Sequence, residues 1–218
     1  MTKANNRFVA FLMAFFAMSV TVCAQYEDDA SNIIRQNYTF GDGKLDWNEY
    51  SERHKSVVID GDKLVISCKK EKEDVLAVAR LSFQPRKNFK LDYAMTVPKL
   101  DEENMFGVLF NYQDDDNYNG ILFNRKKFYF VTRENGVTYK EKSGDIKFKG
   151  KKDVDVNVSL IRVGNKLHIE VNNMAVYERI GVKMRHPFCG FYTSGKSSLQ
   201  ANSIGFEQMT RDDEDEDE

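Results

Sequence analysis

Between Val154 and Leu160 every second residue is apolar: Val154, Val156, Val158 and Leu160 alternate with Asp155, Asn157 and Ser159. A side-chain period of two suits a strand with one buried face, and no helix can gather such a pattern on one side. The pattern returns after Gly164-Asn165, where Leu167, Ile169 and Val171 alternate with His168, Glu170 and Asn172. Two such runs joined by a Gly-Asn turn predict a hairpin, and Asn172-Asn173 turns the chain once more into Ala175 to Arg179.

The same reading predicts strands along the whole chain beyond the first 24 residues. Val57 to Ile59 and Leu64 to Cys68 flank the turn Asp60-Gly61, and Val75 to Phe83 and Phe89 to Val97 follow. Met105 to Tyr112, Tyr118 to Asn124 and Lys127 to Arg133 form a meander, its first turn being Asp114 to Asn117, with a further turn at Asn135-Gly136. Phe188 to Thr193 and Ser203 to Met209 close the series. Many short strands, only three prolines and no helical periodicity predict an all-β chain, an antiparallel two-sheet jelly-roll sandwich rather than parallel βα units. With 41% hydrophobic residues there is enough apolar surface for one sizeable core, placed at residues 38–210.

The ends of the chain have a different character. Lys3 and Arg7 precede an apolar run from Phe8 to Val22, and small side chains surround Cys23-Ala24. At about 15 residues the run is short for a membrane span and suits a signal peptide. Residues 1–24 are therefore expected to be removed before Gln25, with no transmembrane anchor left, and 25–37 to form a linker. A lipid anchor on Cys23 fits less well, because Val22 and Val20 stand where a lipobox has a small residue and a leucine. The protein is expected to be exported, to the periplasm, the outer envelope or the medium. Residues 211–218 carry one positive and seven negative charges, which repel one another and predict a solvated tail that could engage a protein partner. Apart from that tail and the signal the chain is close to neutral, and it has no basic stripe of the kind a phosphate backbone needs, which argues against nucleic acid.

Cys68 and Cys189 both lie in strand-like apolar surroundings of an exported chain, where either a disulfide between them or two buried thiols is consistent with the sequence. His54, His168 and His186 are scattered, there is no CxxC, and no metal site or cofactor is expected. Asp42, between Gly41 and Gly43, is the one candidate for a structural calcium. His168, alternating with Leu167 and Ile169, should face solvent without a nucleophile beside it, and His186-Pro187 should open a strand. Ser197-Ser198 lacks the strained turn of a nucleophile elbow.

Folding the meander about its first turn puts Tyr112 opposite Tyr118 and gathers Phe106, Val108, Phe110, Gly120, Leu122 and Asn124 with them on one face. Tyr129 and Arg133 join that face, while Leu109, Ile121, Phe123, Phe128 and Phe130 read as core. Tyrosine rings offer apolar surface to the C–H side of a sugar and hydroxyls to its rim, and Arg133 and Asn124 can fix its orientation. Tyr112, Tyr118, Asn124, Tyr129 and Arg133 are accordingly the candidate ligand-binding residues.

Several stretches in the same order resemble a known superfamily: Phe106-Gly107-Val108-Leu109-Phe110-Asn111-Tyr112 followed by Asp115-Asp116-Asn117-Tyr118; Trp47 ahead of Asp60-Gly61-Asp62-Lys63-Leu64; Gly164 to Asn172; Gly190-Phe191-Tyr192; and Ile204-Gly205-Phe206-Glu207. Between Phe40 and Met209 the chain resembles the concanavalin A-like lectin/glucanase domains, in particular laminin-G-like modules and the domains named for 3-keto-disaccharide hydrolysis. The resemblance implies a jelly roll with a concave, saccharide-holding face, and relatives that bind or cleave glycans. Retaining glucanases of that superfamily carry an ExDxxE strand, which sets carboxylates on one side about 5 Å apart. Asp153 and Asp155 lack the third acid, so no catalytic residue is assigned. The expected function is non-catalytic glycan binding, with a glycoside hydrolase-like enzyme and a structural or protein-interaction domain as alternatives.

Overall fold

The structure, a computed structural model, describes residues 33–209. The expected signal, most of the linker and the acidic tail lie outside those residues. Fifteen strands make two antiparallel sheets, and no α-helix occurs among the described residues. The first sheet runs β13 (Met174–Ile180), β12 (Lys166–Val171), β11 (Lys152–Val163), β6 (Phe89–Lys99), β15 (Ser198–Met209), β4 (Lys63–Cys68), β3 (Lys55–Asp60) and β2 (Tyr50–Ser51). Its ninth strand, β1 (Ile33–Tyr38), pairs with β15 beside β4. The sheet therefore starts within residues 25–37, which the sequence reading assigned to a linker. The second sheet has six strands in the order β10 (Val137–Asp145), β9 (Lys127–Glu134), β8 (Asn117–Phe123), β7 (Phe106–Asp114), β14 (Phe188–Ser194) and β5 (Asp74–Arg80).

Alternation decides which residues lie between the sheets. Leu91, Tyr93, Met95 and Val97 of β6 and Val154, Val156, Val158 and Leu160 of β11 are all buried and meet Phe106, Val108, Phe110, Ile121, Phe123, Phe128, Phe130 and Phe191 from the opposite sheet. Burying one such ring stabilises the fold by about 1.5–3 kcal/mol. Tyr93 brings a hydroxyl into this core, and it donates to the Leu109 carbonyl at 3.0 Å, so no polar group is stranded. The edge at β5 is partly covered by Asn48, whose side chain accepts from Val78 N at 2.8 Å and donates to Leu76 O at 3.1 Å.

Cys68 and Cys189 are two separate buried thiols and not a disulfide. Cys68 ends β4 and turns Sγ toward the Lys70 carbonyl at 3.3 Å, whereas Cys189 lies in β14 of the other sheet, hydrogen-bonded to the Tyr93 hydroxyl. Burial pushes the Cys189 thiol up to about 12. Asp42 closes a short turn, accepting from Lys44 N at 3.1 Å and pairing with Lys44 Nζ at 3.3 Å, and the backbone bond holds its carboxyl below the usual range. Among the described residues no group of three His, Cys, Asp or Glu side chains is placed to hold a metal ion.

Candidate ligand-binding face and end pocket

The outer side of the six-stranded sheet carries its own apolar cluster. Leu109 of β7, Tyr118 and Leu122 of β8, Val131 of β9 and Tyr192 of β14 are buried there, with Tyr112, Tyr129, Leu76, Val78 and Met105 packed around them. The register Tyr118↔Arg133 and Leu122↔Tyr129 places Tyr118, Tyr129 and Arg133 on this side, as the alternation predicts. Phe106, Val108 and Phe110 correct the sequence reading, for they are in the core and Leu109 is outside it. The cause is a break in β7: its register with β8 shifts between Phe110 and Asp114, and Asn111 takes a left-handed φ of 50°. The irregularity exchanges the faces of the strand on its two sides, so Tyr112 is outside although Phe110 is inside.

Three glycines sit beneath the tyrosines. A Cβ on Gly107 would lie 2.1 Å from Ile121 O, one on Gly190 1.9 Å from Ala77 O, and one on Gly120 3.1 Å from Val108 O. At the first two positions the neighbouring backbone comes closer than any side chain allows, so these strands can approach only because glycine occupies them.

The aromatic groups have a polar rim. Tyr112 stacks beside Tyr118 with centroids 6.4 Å apart and planes at 18°, and its hydroxyl donates to Asp115 Oδ1 at 2.7 Å. Burial and then the Asp115 bond push the Tyr112 phenol well above its ordinary value. Tyr118 is pushed up to about 12 by burial, with Arg133 opposing and Asp74 and Asp115 reinforcing the shift. Tyr192 is raised by burial and then by Asp74. All three phenols are neutral hydrogen-bonding groups at physiological pH. Arg133 donates from Nη1 to Thr138 Oγ1 at 3.0 Å and lies 3.6 Å from Asp116, while its Nε is buried without a partner. Lys140 Nζ covers the Tyr129 ring at 4.7 Å.

Asn124 stands apart from this group. It lies in the β8–β9 turn at the far end of β8, where its Oδ1 accepts from Lys126 N and Lys127 N and its Nδ2 donates to Glu102 O. Sequence reasoning passed over Tyr192 and Asp74 as binding residues. The alternation of Cys189 and Phe191 with Gly190 and Tyr192 contains the signal, since Cys189 and Phe191 in the core between the sheets imply that Tyr192 points to the opposite side.

A second feature lies at one open end of the sandwich, where a pocket of about 390 Å³ adjoins Tyr118 and Arg133. On the inward side of the six-stranded sheet the apolar positions give way here to a polar row across four strands. Asn111 Nδ2 donates to Asn119 Oδ1 at 3.0 Å, Asn119 Nδ2 to Thr132 Oγ1 at 2.9 Å, and Thr132 Oγ1 to Glu141 Oε1. Arg179 of β13 reaches across from the other sheet to Glu141 Oε2 at 2.7 Å. Asn111 also ties down the segment between β13 and β14: its Oδ1 accepts from Arg185 N at 2.7 Å and His186 N at 3.1 Å, and its Nδ2 donates to Lys183 O at 3.1 Å. His168 faces outward on β12, 3.1 Å from Glu178 Oε2.

Two antiparallel sheets packed face to face in this order define a two-sheet β-sandwich with a jelly-roll fold. No protein-family model matches the sequence, and no curated protein matches it either. Among solved structures, the carbohydrate binding module CBM66 from Bacillus subtilis superposes with a TM-score of 0.56 at 12% identity, over 78% of this chain and 97% of that one. The carbohydrate recognition domain of Emp47p gives 0.60 at 10% identity, over 83% and 99%. A structure described as a native glycosidic hydrolase gives 0.55 at 9% identity, over 80% and 95%. At such identities the likeness is one of fold, and the fold hosts both binding and hydrolysis.

Proposed function

We propose that this protein is an exported glycan-binding module that works without catalysis, using the outer face of its six-stranded sheet. The observation that carries the reading is the union, on one face, of aromatic rings with hydrogen-bonding groups: Tyr112 with Asp115, Tyr118 beside Arg133, Tyr192 near Asp74, and Tyr129. A face that merely caps a sheet has no use for carboxylates and a guanidinium around its rings. A sugar needs both, stacking its C–H side on the ring and its hydroxyls on the rim. The likeness to a carbohydrate binding module and a carbohydrate recognition domain supports the same reading.

Tyr129 is half-buried at the edge of the outer cluster with Lys140 over its ring, so Tyr129→Ala should leave the core intact and weaken saccharide binding about ten-fold, as loss of one stacking partner does. Calorimetry on the protein lacking residues 1–24, against a panel of oligosaccharides, measures this. No binding by any saccharide rejects the proposal, and release of shorter saccharides during incubation rejects its non-catalytic part. Export is tested by the mass of the protein recovered outside the cytoplasm, which should begin at Gln25. A lipid-modified Cys23 at the N-terminus would overturn that cleavage site.

A further inference from the structure

The end pocket departs from the aromatic face in its chemistry, with planar amides, carboxylates and guanidinium groups where the face has rings. Planar groups of this kind match the paired hydroxyls of a sugar ring, and the pocket's volume, about 390 Å³, falls within the range of small-ligand sites. Its rim is basic. Lys183 and Arg185 line it, both exposed, and neither makes an ion pair among the described residues. Of the other charges that line it, Arg179 is bound to Glu141, Arg133 lies against Asp116, and Glu134 is the single acid with no cation against it.

The backbone that carries the two cations is held in place. Asn111 adopts a left-handed backbone, which costs little for asparagine, and from there it binds the backbone of Lys183, Arg185 and His186 on both edges of its amide. Met184, buried between the two cations, anchors the same segment in the core. Arg133 contributes a buried Nε donor that nothing in the protein satisfies. A backbone fixed this firmly keeps two cationic side chains at the pocket rim, where an anion can reach both.

We propose that the end pocket receives the carboxylate-bearing residue of an acidic saccharide whose neighbouring residues lie on the tyrosine face, with Lys183 and Arg185 as the carboxylate contacts and Arg133 at the junction. The inference rests on the glycan-binding reading and adds to it a ligand class and a second contact surface. It is tested with galacturonic acid oligomers, neutral galactose oligomers of equal length, and acetate, each titrated against the protein lacking residues 1–24 and against Lys183→Ala/Arg185→Ala. The uronate oligomer should bind the wild-type protein about ten-fold more tightly than the neutral one, with an affinity that falls as salt is raised. The double variant should lose that preference and retain neutral binding, which also shows that it is folded. Equal affinity for the two oligomers, or a preference that survives the double substitution, overturns the end-pocket proposal and leaves the glycan reading standing. Acetate binding as tightly as the uronate oligomer overturns the saccharide assignment of the pocket, and no binding by either oligomer overturns the end-pocket proposal, the glycan reading falling with it only when the whole oligosaccharide panel also fails to bind.

Discussion

Asn111 illustrates how much a single amide can hold. It sits where β7 breaks its register, in a conformation that asparagine tolerates and alanine does not, and its side chain joins β7, β8 and the segment before β14. Asn111→Ala should therefore destabilise the protein by about 2 kcal/mol, read from the urea midpoint, with Asn111→Gly milder because it removes the bonds but not the backbone preference. An alanine variant as stable as the wild type would mean that the network holds nothing. The two thiols supply a second expectation. Cys189 is fully buried and its thiol is raised, so a thiol reagent should leave the folded protein almost untouched and titrate Cys68 and Cys189 after unfolding. Absence of reactive thiol in the unfolded protein would instead show a disulfide. The sequence could not choose between these states, because separation along a chain says nothing of the distance between β4 and β14.

At the level of the strand, the regular hairpins were the most legible part of the sequence. β11 and β12 lie where the alternation predicts them, with Val158↔Val171 and Leu160↔Ile169 facing partners in the inward row. Residues that break alternation were misread for a physical reason. β10 is exposed along almost its whole length, so Val137 to Asp145 carries no apolar period to find. β7 alternates correctly until Asn111, and the inference failed at the irregularity because a pattern of period two has no means of marking an extra residue. The tyrosine face was thus recovered for β8 and β9, whose mutual register is unbroken, and in β7 only at Tyr112, beyond the irregularity. The glycines where strands approach closely give the matching prediction. Gly107→Ala and Gly190→Ala should each cost more than about 2 kcal/mol, because a new Cβ would overlap neighbouring backbone, whereas Gly120→Ala should cost far less. Equal thermal midpoints for the three variants would contradict the close approach of those strands.

For the molecule as a whole, the raised acids of the two clusters predict weakness in alkali. Tyr93, Tyr112, Tyr118, Tyr192 and Cys189 all have folded values above their ordinary ones, chiefly through burial. In the alkaline range the unfolded chain then releases protons that the folded one keeps, so stability is complete below the ordinary thiol and phenol values and falls above them. For a fully buried group such as Tyr93 or Cys189 the loss is about 1.4 kcal/mol per pH unit. Urea midpoints should be flat up to about pH 8.5 and drop steadily toward about pH 12. A midpoint unchanged across that window would show that these side chains are open to water. One consequence follows from the position of β15 between β6 on one side and β4 with β1 on the other. The large sheet is two unjoined halves until Ser198–Met209 takes its place between them, so a chain lacking that strand cannot complete the architecture. Any premature stop ahead of Ser198 would leave two raw strand margins ready to stick to other chains.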